Sequence, residues 1–149
     1  MSDPVRWILQ AAASLSDSAD EPTCRHVLEA CGRACFPAAL GEKARRIWES
    51  SATTRDFVLG LRDVFPPVVL FGEEIHVVYP KCYCEFMRAV PPSEVPWTYC
   101  QCSIGWVKEF FALATGQSAV VDVISTVLRG GAECRLRVDL GRRLDQPLR

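Results

Sequence analysis

Apolar side chains recur at three- and four-residue intervals through the first 65 residues, which is the spacing of helices that bury one face. Pro22 and Pro37 favour the start and the end of a second helix in this region. A third, more charged helix is predicted around residues 42–50. The sequence Thr53-x-x-Asp56 is a variant of the capping box that opens a fourth helix. The N-terminal half is therefore predicted to be helical.

The second helix carries three thiols on one apolar stripe. Cys24, Leu28, Cys31 and Cys35 lie at i, i+4, i+7 and i+11, so they share one face of a helix. Because that stripe is the apolar side of the helix, all three thiols are predicted to point toward the core.

After two consecutive prolines the pattern changes to short β-branched runs. Residues 68–71 and 74–79 are predicted to form a hairpin, and residues 81–90 a further strand. Three prolines between positions 91 and 96 indicate an extended loop.

The stretch from position 99 to 140 forms a unit of one helix and two strands. Ser103 is predicted to cap the start of the helix and Gly116 to end it in a left-handed conformation. Aliphatic residues follow over 119–128, and a strictly alternating segment covers 134–140, with a glycine turn between them at Gly130. This pattern predicts a second hairpin with one dry face.

The order of these elements indicates an α+β fold, with N-terminal helices followed by a mostly antiparallel sheet and one long helix between Cys102 and Gly116. The chain is read as a single domain, 1–149, of a size that buries a core without disulfides or metals. Its parts are a helical segment 3–65, a β-rich segment 68–140 and a tail 141–149 that is predicted to fray.

The charge balance argues against nucleic acid as a partner. Lys and Arg number 17 against 18 Asp and Glu, and no segment concentrates the basic residues. No apolar run is long enough for a secretion signal or a membrane span, so we expect a cytoplasmic protein without membrane attachment. The oligomeric state is open, a homodimer included.

Eight cysteines are many for a cytoplasmic chain of this length, where thiols serve as buried fillers, metal ligands or redox groups more often than as disulfides. Six of them form three pairs with spacings of four or two residues, which place each pair on one side of a helix or of an extended chain. The candidate metal ligands are Cys31, Cys35, Cys82, Cys84, Cys100, Cys102 and Cys134. Cys24, which has no partner nearby in the sequence, is predicted to be a buried filler.

The metal that this donor set favours is zinc, which takes about four soft ligands in a tetrahedron. An iron–sulfur cluster also takes thiolates and is the alternative cofactor. Buried filler and disulfide pairing remain open for the same residues. The two histidines, His26 and His76, are predicted to lie at the surface rather than to act as ligands or bases.

The C-terminal half resembles the 4-vinyl-reductase-type small-molecule-binding domain. The matching positions are Cys100, Gly105, Gly116, Val120, Gly130 and Cys134. Relatives of that domain form the effector-binding module of phenol-sensing transcription activators, in which a Cys, a Glu and two further Cys residues hold zinc. The resemblance implies outer ligands at Cys100 and Cys134 and puts Val123 and Thr126 at the inner two positions, so it supports the fold more strongly than that metal site.

Most of the chain also resembles a little-characterised prokaryotic group of stand-alone proteins. The motifs shared with that group are Cys-Gly-Arg-x-Cys at 31–35 and two later Cys-x-Cys pairs.

Aromatic residues in the β-rich part are the second clue to function, because aromatic-lined cavities suit flat apolar ligands. The pocket candidates are Phe71, Tyr79, Phe86, Trp97, Trp106 and Phe110. The leading hypothesis is a cytoplasmic small-molecule-binding or sensor-type module, with a small hydrophobic or aromatic ligand and a cysteine-thiolate zinc site. The alternative is a thiol-dependent or metal-dependent enzyme that uses one of the paired cysteines.

Overall fold

The computed structural model describes residues 1–82 and 84–149. The described residues form five α-helices and four β-strands, which confirms the α+β class. The helices are Asp3–Ser18 (α1), Glu21–Ala34 (α2), Ala38–Ser50 (α3), Thr54–Gly60 (α4) and Gln101–Thr115 (α5). The strands are Val68–Phe71 (β1), Glu74–Tyr79 (β2), Val120–Ser125 (β3) and Cys134–Asp139 (β4). In this part of the chain, none of the helices combines the length and the apolar character that crossing a membrane requires.

The four strands form one antiparallel sheet in the order β1-β2-β4-β3. The two predicted hairpins are both present, and the strands that meet in the middle, β2 and β4, come from different hairpins. Val77 of β2 pairs with Leu136 of β4, and both side chains face the main core with those of α3, α4 and α5. The sheet therefore presents one face to the helices.

Helix α5 lies between the sheet and helices α2 and α3, so it buries residues on several sides. It ends as predicted at Gly116, whose φ of 73° is left-handed. Its start was predicted wrongly: the helix begins at Gln101, directly after a 3₁₀ turn over Trp97–Cys100, and Ser103 lies inside its first turn. The turn supplies a helical entry, so no side-chain cap is needed.

The orientation of α2 differs from the prediction. Cys24 and Leu28 are buried, but Cys31 and Cys35 are exposed. Near its C-terminus the helix instead turns Gly32 toward α5, because a residue without a side chain lets the two backbones approach closely. No sequence pattern within α2 encodes that contact.

The predicted strand over 81–90 is absent from the described residues of that range. The chain forms turns there, with the Met87 amide donating to the Cys84 carbonyl and the Val90 amide donating to the Met87 carbonyl. These turns build a second apolar cluster of Met87, Val90 and Val95, which packs against the apolar side chains of α1. We call α1 together with residues 84–96 the cap.

The last nine residues do not fray. Leu144 is buried, its carbonyl accepts a hydrogen bond from the Arg55 amide, and the Leu148 amide donates to the Ala52 carbonyl. The Arg55 guanidinium also forms an ion pair with Asp145, with a nitrogen–oxygen distance of 2.7 Å. The tail is therefore attached to the start of α4 by both backbone and side-chain contacts.

Candidate functional site

Five of the eight thiols come from three separate segments and meet at one end of the sheet. Cys82 and Cys84 follow β2, Cys100 and Cys102 lie where the 3₁₀ turn runs into α5, and Cys134 begins β4. Cys134 pairs with Tyr79, the last residue of β2, which brings it beside the segment that carries Cys82. We call these five residues the thiol cluster.

The thiols of the cluster lie close enough for one to influence the ionisation of another. Burial raises the pKa of Cys102 far above the ordinary thiol value, and the ionised forms of Cys84, Cys100 and Cys82 raise it further. Burial likewise raises the pKa of Cys82, with smaller increases from Cys84 and Cys134. Ionising one thiol therefore makes ionisation of its neighbours harder.

Cys100 is the member of the cluster that lies next to the turn before β4, where it is close to Thr126 and Arg129. Burial raises its pKa to about 11; Cys134 and Cys82 also raise it, whereas a hydrogen bond with Thr126 and the charge of Arg129 lower it. In the same turn, the Val127 amide donates to the Cys134 sulfur at 3.5 Å.

Tyr99 lies next to the thiol cluster and contacts one of its members. Its hydroxyl and the Cys84 thiol form a hydrogen bond of 3.3 Å. Burial raises the pKa of Tyr99 strongly, as do the Cys84 hydrogen bond and the ionised forms of Cys102 and Cys35. With their raised pKa values, Cys82, Cys100, Cys102 and Tyr99 hold their protons at neutral pH.

The cluster lies between two apolar groups. Cys84 is itself a residue of the cap, and together with Cys82 and Tyr99 it packs against the buried apolar side chains there. Cys102 belongs to α5, whose buried side chains are part of the main core. Contacts across this boundary include a hydrogen bond between the hydroxyls of Ser16 in α1 and Thr98 in the 3₁₀ turn. The thiols therefore occupy the seam between the cap and the rest of the domain.

The sulfur atoms do not converge on one point. Among residues 1–82 and 84–149, no three Cys, His, Asp or Glu side chains are arranged to hold a metal ion. The premise that Cys100 and Cys102 share a face of an extended chain is also wrong, because both lie in helical backbone, where residues two apart point in different directions. The fold does bring these thiols together. It does so by placing three segments side by side, not by the alternation of side chains along a strand that the two-residue spacing predicts.

Three cysteines lie outside the cluster. Cys24 is buried, as predicted, and its thiol donates to the Leu15 carbonyl at 3.4 Å. Cys31 and Cys35 are exposed at the C-terminal end of α2, and of these Cys35 approaches the cluster closely enough to act on Tyr99.

Half of the predicted pocket residues are close together. Trp106 and Phe110 are stacked in parallel with ring centres 6.2 Å apart, and both contact Phe65, which also meets Tyr79 edge to face at 6.4 Å. The other three lie at the surface. Phe71 is 63% exposed and Phe86 46%, and Trp97 stacks beneath the Arg129 guanidinium at 4.4 Å.

Two buried polar groups were not identified from the sequence. His76, predicted to lie at the surface, is 4% exposed, with its two ring nitrogens 2.9 Å from Glu74 and 3.2 Å from Arg135. Glu29, on the face of α2 that meets α5, forms an ion pair of 2.8 Å with Lys108. The sequence carries no signal for the burial of Glu29, because this residue lies outside the predicted apolar stripe of α2. His26 is exposed, as predicted.

The fold and the cluster define an α+β domain that holds a group of half-buried thiols beneath a helical cap. The chain belongs to the "Family of unknown function (DUF6144)", whose model matches residues 1–144. No curated protein matches the sequence.

The solved structures that are similar to this chain include the following two. A trafficking protein particle complex subunit 3 from Naegleria fowleri, covalently bound to palmitic acid, has a TM-score of 0.53 and 13% identity over 96% of this chain and 98% of its own. The phenol-responsive sensory domain of the transcription activator PoxR, in a structure with phenol, has a TM-score of 0.51 and 15% identity over 94% of this chain and 74% of its own. At these identities the likeness concerns the fold alone, and the resemblance to the 4-vinyl-reductase-type domain stays a prediction.

Proposed function

We propose that this protein is a small-molecule-binding module whose thiol cluster holds a zinc ion. The observation that carries the proposal is the gathering of five half-buried thiols from three segments of the chain at the seam beneath the cap. The ion would take its ligands from Cys82, Cys84, Cys100, Cys102 and Cys134. A reduced thiol cluster of this kind fits the expected cytoplasmic location.

The chemistry of the donors fits zinc better than it fits a free nucleophile. The raised pKa values of Cys82, Cys100 and Cys102 mean that these thiols are protonated at neutral pH, and protonated thiols react slowly. A divalent cation favours the thiolate form instead, because it replaces the protons and offsets the repulsion between neighbouring thiolates. The same features therefore disfavour catalysis by these thiols and favour a metal.

Ligand convergence requires the thiol side chains to turn. Each cysteine has a single side-chain torsion with three staggered minima, so its sulfur can move while its backbone stays in place. Zinc in such a site would link residues of the cap, Cys84 among them, to Cys102 of α5. Its contribution would be structural, namely attachment of the cap to the main core.

The ligand-binding part of the proposal is supported by the two structural neighbours, which hold phenol and palmitic acid. In this chain the aromatic group of Tyr79, Phe65, Trp106 and Phe110 lies at the same end of the domain as the cluster, since Tyr79 pairs with Cys134. A small hydrophobic or aromatic molecule is the ligand class that such side chains favour.

Metal analysis of the protein as purified, without added metal or chelator, tests the zinc site. We expect about one zinc per chain and cluster thiols that react with a thiol reagent only after chelation. Cys102→Ser should lower the zinc content and Cys31→Ser, the matched exposed control, should leave it unchanged. Metal-free protein with one rapidly reacting cluster thiol would overturn the proposal and favour the thiol-dependent enzyme.

Ligand binding is tested separately with a series of phenols and fatty acids. A bound ligand should raise the melting temperature and change the fluorescence of Trp106, while Trp7, on the exposed side of α1, reports nothing. Trp106→Phe should remove the expected change, whereas Trp7→Phe should retain it; Trp48 and Trp97 contribute a background that both variants share. A series that never shifts the melting temperature would contradict ligand binding and leave the zinc result unaffected.

A further inference from the structure

The two exposed thiols of α2 have a separate role from the buried ones. We propose that Cys31 and Cys35 form a redox-active dithiol, which closes to a disulfide before any thiol of the cluster is oxidised. The inference does not rest on the proposed function, because it concerns the surface of α2 and holds for the protein with or without a metal.

Helix geometry brings the two residues close to the span of a disulfide. Residues four apart in an α-helix are about 6 Å apart between Cα atoms, within that span. Their Cβ atoms are about 5–6 Å apart, whereas a disulfide needs about 3.5–4.5 Å, so the bond requires this last turn of the helix to tighten. The turn between them is intact, since the Cys35 amide donates to the Cys31 carbonyl at 3.1 Å. Cys35 directly follows Ala34, the last residue of the helix, with φ of −82° and ψ of −7°, so helical turns hold Cys35 only on its N-terminal side.

Access distinguishes this pair from the other cysteines. Cys31 and Cys35 are exposed, Cys24 is 3% exposed, and the five thiols of the cluster are partly buried beneath the cap. Oxidation of thiols by a dissolved oxidant depends on their exposure. A peroxide in solution therefore meets the pair on α2 first.

The reaction with a peroxide balances as a two-electron step. One thiolate attacks an oxygen of hydrogen peroxide, the O–O bond breaks, and a sulfenic acid forms with loss of water. The second thiol attacks that sulfur, the S–O bond breaks, and a second water leaves. The two sulfurs lose two electrons in total, the peroxide gains them, and a bond joins Cys31 to Cys35.

The sequence provides a direct assay, because Arg33 lies between the two cysteines. The reduced full-length chain is treated with an equimolar amount of hydrogen peroxide, its free thiols are alkylated, and trypsin digestion follows without reductant. We expect peptide 26–33 to be joined to peptide 34–43, from protein that runs as a monomer on a non-reducing gel. Alkylated Cys31 and Cys35 alongside lost cluster thiols, or a linkage found only in dimers, would overturn the proposal.

The test is completed by cysteine variants and by a comparison of zinc-loaded with chelated protein. Cys31→Ser and Cys35→Ser should each abolish the rapid loss of two thiols, whereas Cys24→Ser, a buried position on the same helix, should retain it. Circular dichroism and melting temperature establish that each variant is folded. The linked peptide should form equally in zinc-loaded and chelated protein. If it forms only after chelation, the pair belongs to a metal site and the proposal is wrong.

Discussion

Gly32 and Gly105 face each other's helices so closely that neither position has room for a side chain. A methyl group at Gly32 would collide with the carbonyl oxygen of Cys102, and one at Gly105 would collide with the carbonyl oxygen of Glu29. The contact therefore joins backbone to backbone, and it sets the position of the first turn of α5, where Cys102 lies. The geometry of the thiol cluster depends on these two glycines.

Gly105→Ala should destabilise the protein, although glycine-to-alanine changes inside helices ordinarily stabilise. Forcing the helices apart costs about 2 kcal/mol of unfolding free energy, which lowers the melting temperature by about 6 °C. Ala30→Ser, at an exposed position of α2, is the control and should change the midpoint little. An unchanged or raised melting temperature for Gly105→Ala would show that the helices can separate without loss.

Metal-free protein should lose stability in alkaline solution. The pKa of Cys100 is raised from 9.0 to about 11, mainly by burial. The unfolded chain therefore releases this proton at lower pH than the folded protein does. The contribution of protonated Cys100 to the free energy of unfolding is fully present below pH 9, and it is lost as the pH rises from 9 to 11. Urea midpoints measured across this range in chelated protein give the profile.

Two variants separate the effect of Cys100 on stability at high pH from the effects of other groups that titrate in the same range. Cys100→Ala should flatten the decline between pH 9 and 11, whereas Cys31→Ala should follow the parent protein. Equal slopes for Cys100→Ala and the parent would mean that burial does not perturb this thiol.

The ion pair between Glu29 and Lys108 should contribute more than a surface pair does. Only 9% of the Glu29 side chain is exposed, so Lys108→Met leaves a buried carboxylate with Arg33 as a more distant partner at 3.8 Å. We expect a loss of about 2 kcal/mol, measured by urea unfolding. Adding Glu29→Gln should recover part of the loss, because the uncompensated charge is then removed.

Arg25→Met is the control for this measurement. Arg25 pairs with Glu21 in the same helix, but both side chains are more than half exposed, and such pairs contribute about 0.5 kcal/mol or less. Equal effects of Lys108→Met and Arg25→Met would mean that the Glu29 carboxylate is solvated in solution.

The tail should contribute to stability through Leu144. This side chain is 3% exposed and belongs to the main core, so Leu144→Ala should cost about 2–3 kcal/mol. Leu148→Ala, nearby in the tail but only half-buried, should cost less. Amide exchange of Leu148, which donates to the Ala52 carbonyl, gives an independent measurement, and rapid exchange there would indicate a frayed tail.

Features that depend on neighbouring residues in the chain could be predicted from the sequence. Thr53 and Asp56 form the expected capping box because both partners belong to one turn. Gly116 ends α5 because glycine alone takes a left-handed φ without strain, and the hairpins follow from alternation and turn residues. The α+β class follows from the order of these local elements.

Features that depend on contacts between distant segments could be established only from the tertiary structure. Periodicity predicts which residues of α2 share a stripe, but the exposure of Cys31 and Cys35 depends on whether another element covers that end of the helix. His76 alternates as a surface residue would, yet Glu74 and Arg135 satisfy both ring nitrogens and allow its burial. Residues 84–90 form turns because their apolar side chains pack on α1. The sequence by itself determined the local elements and supplied the thiols, and long-range packing decided which thiols meet and which face solvent.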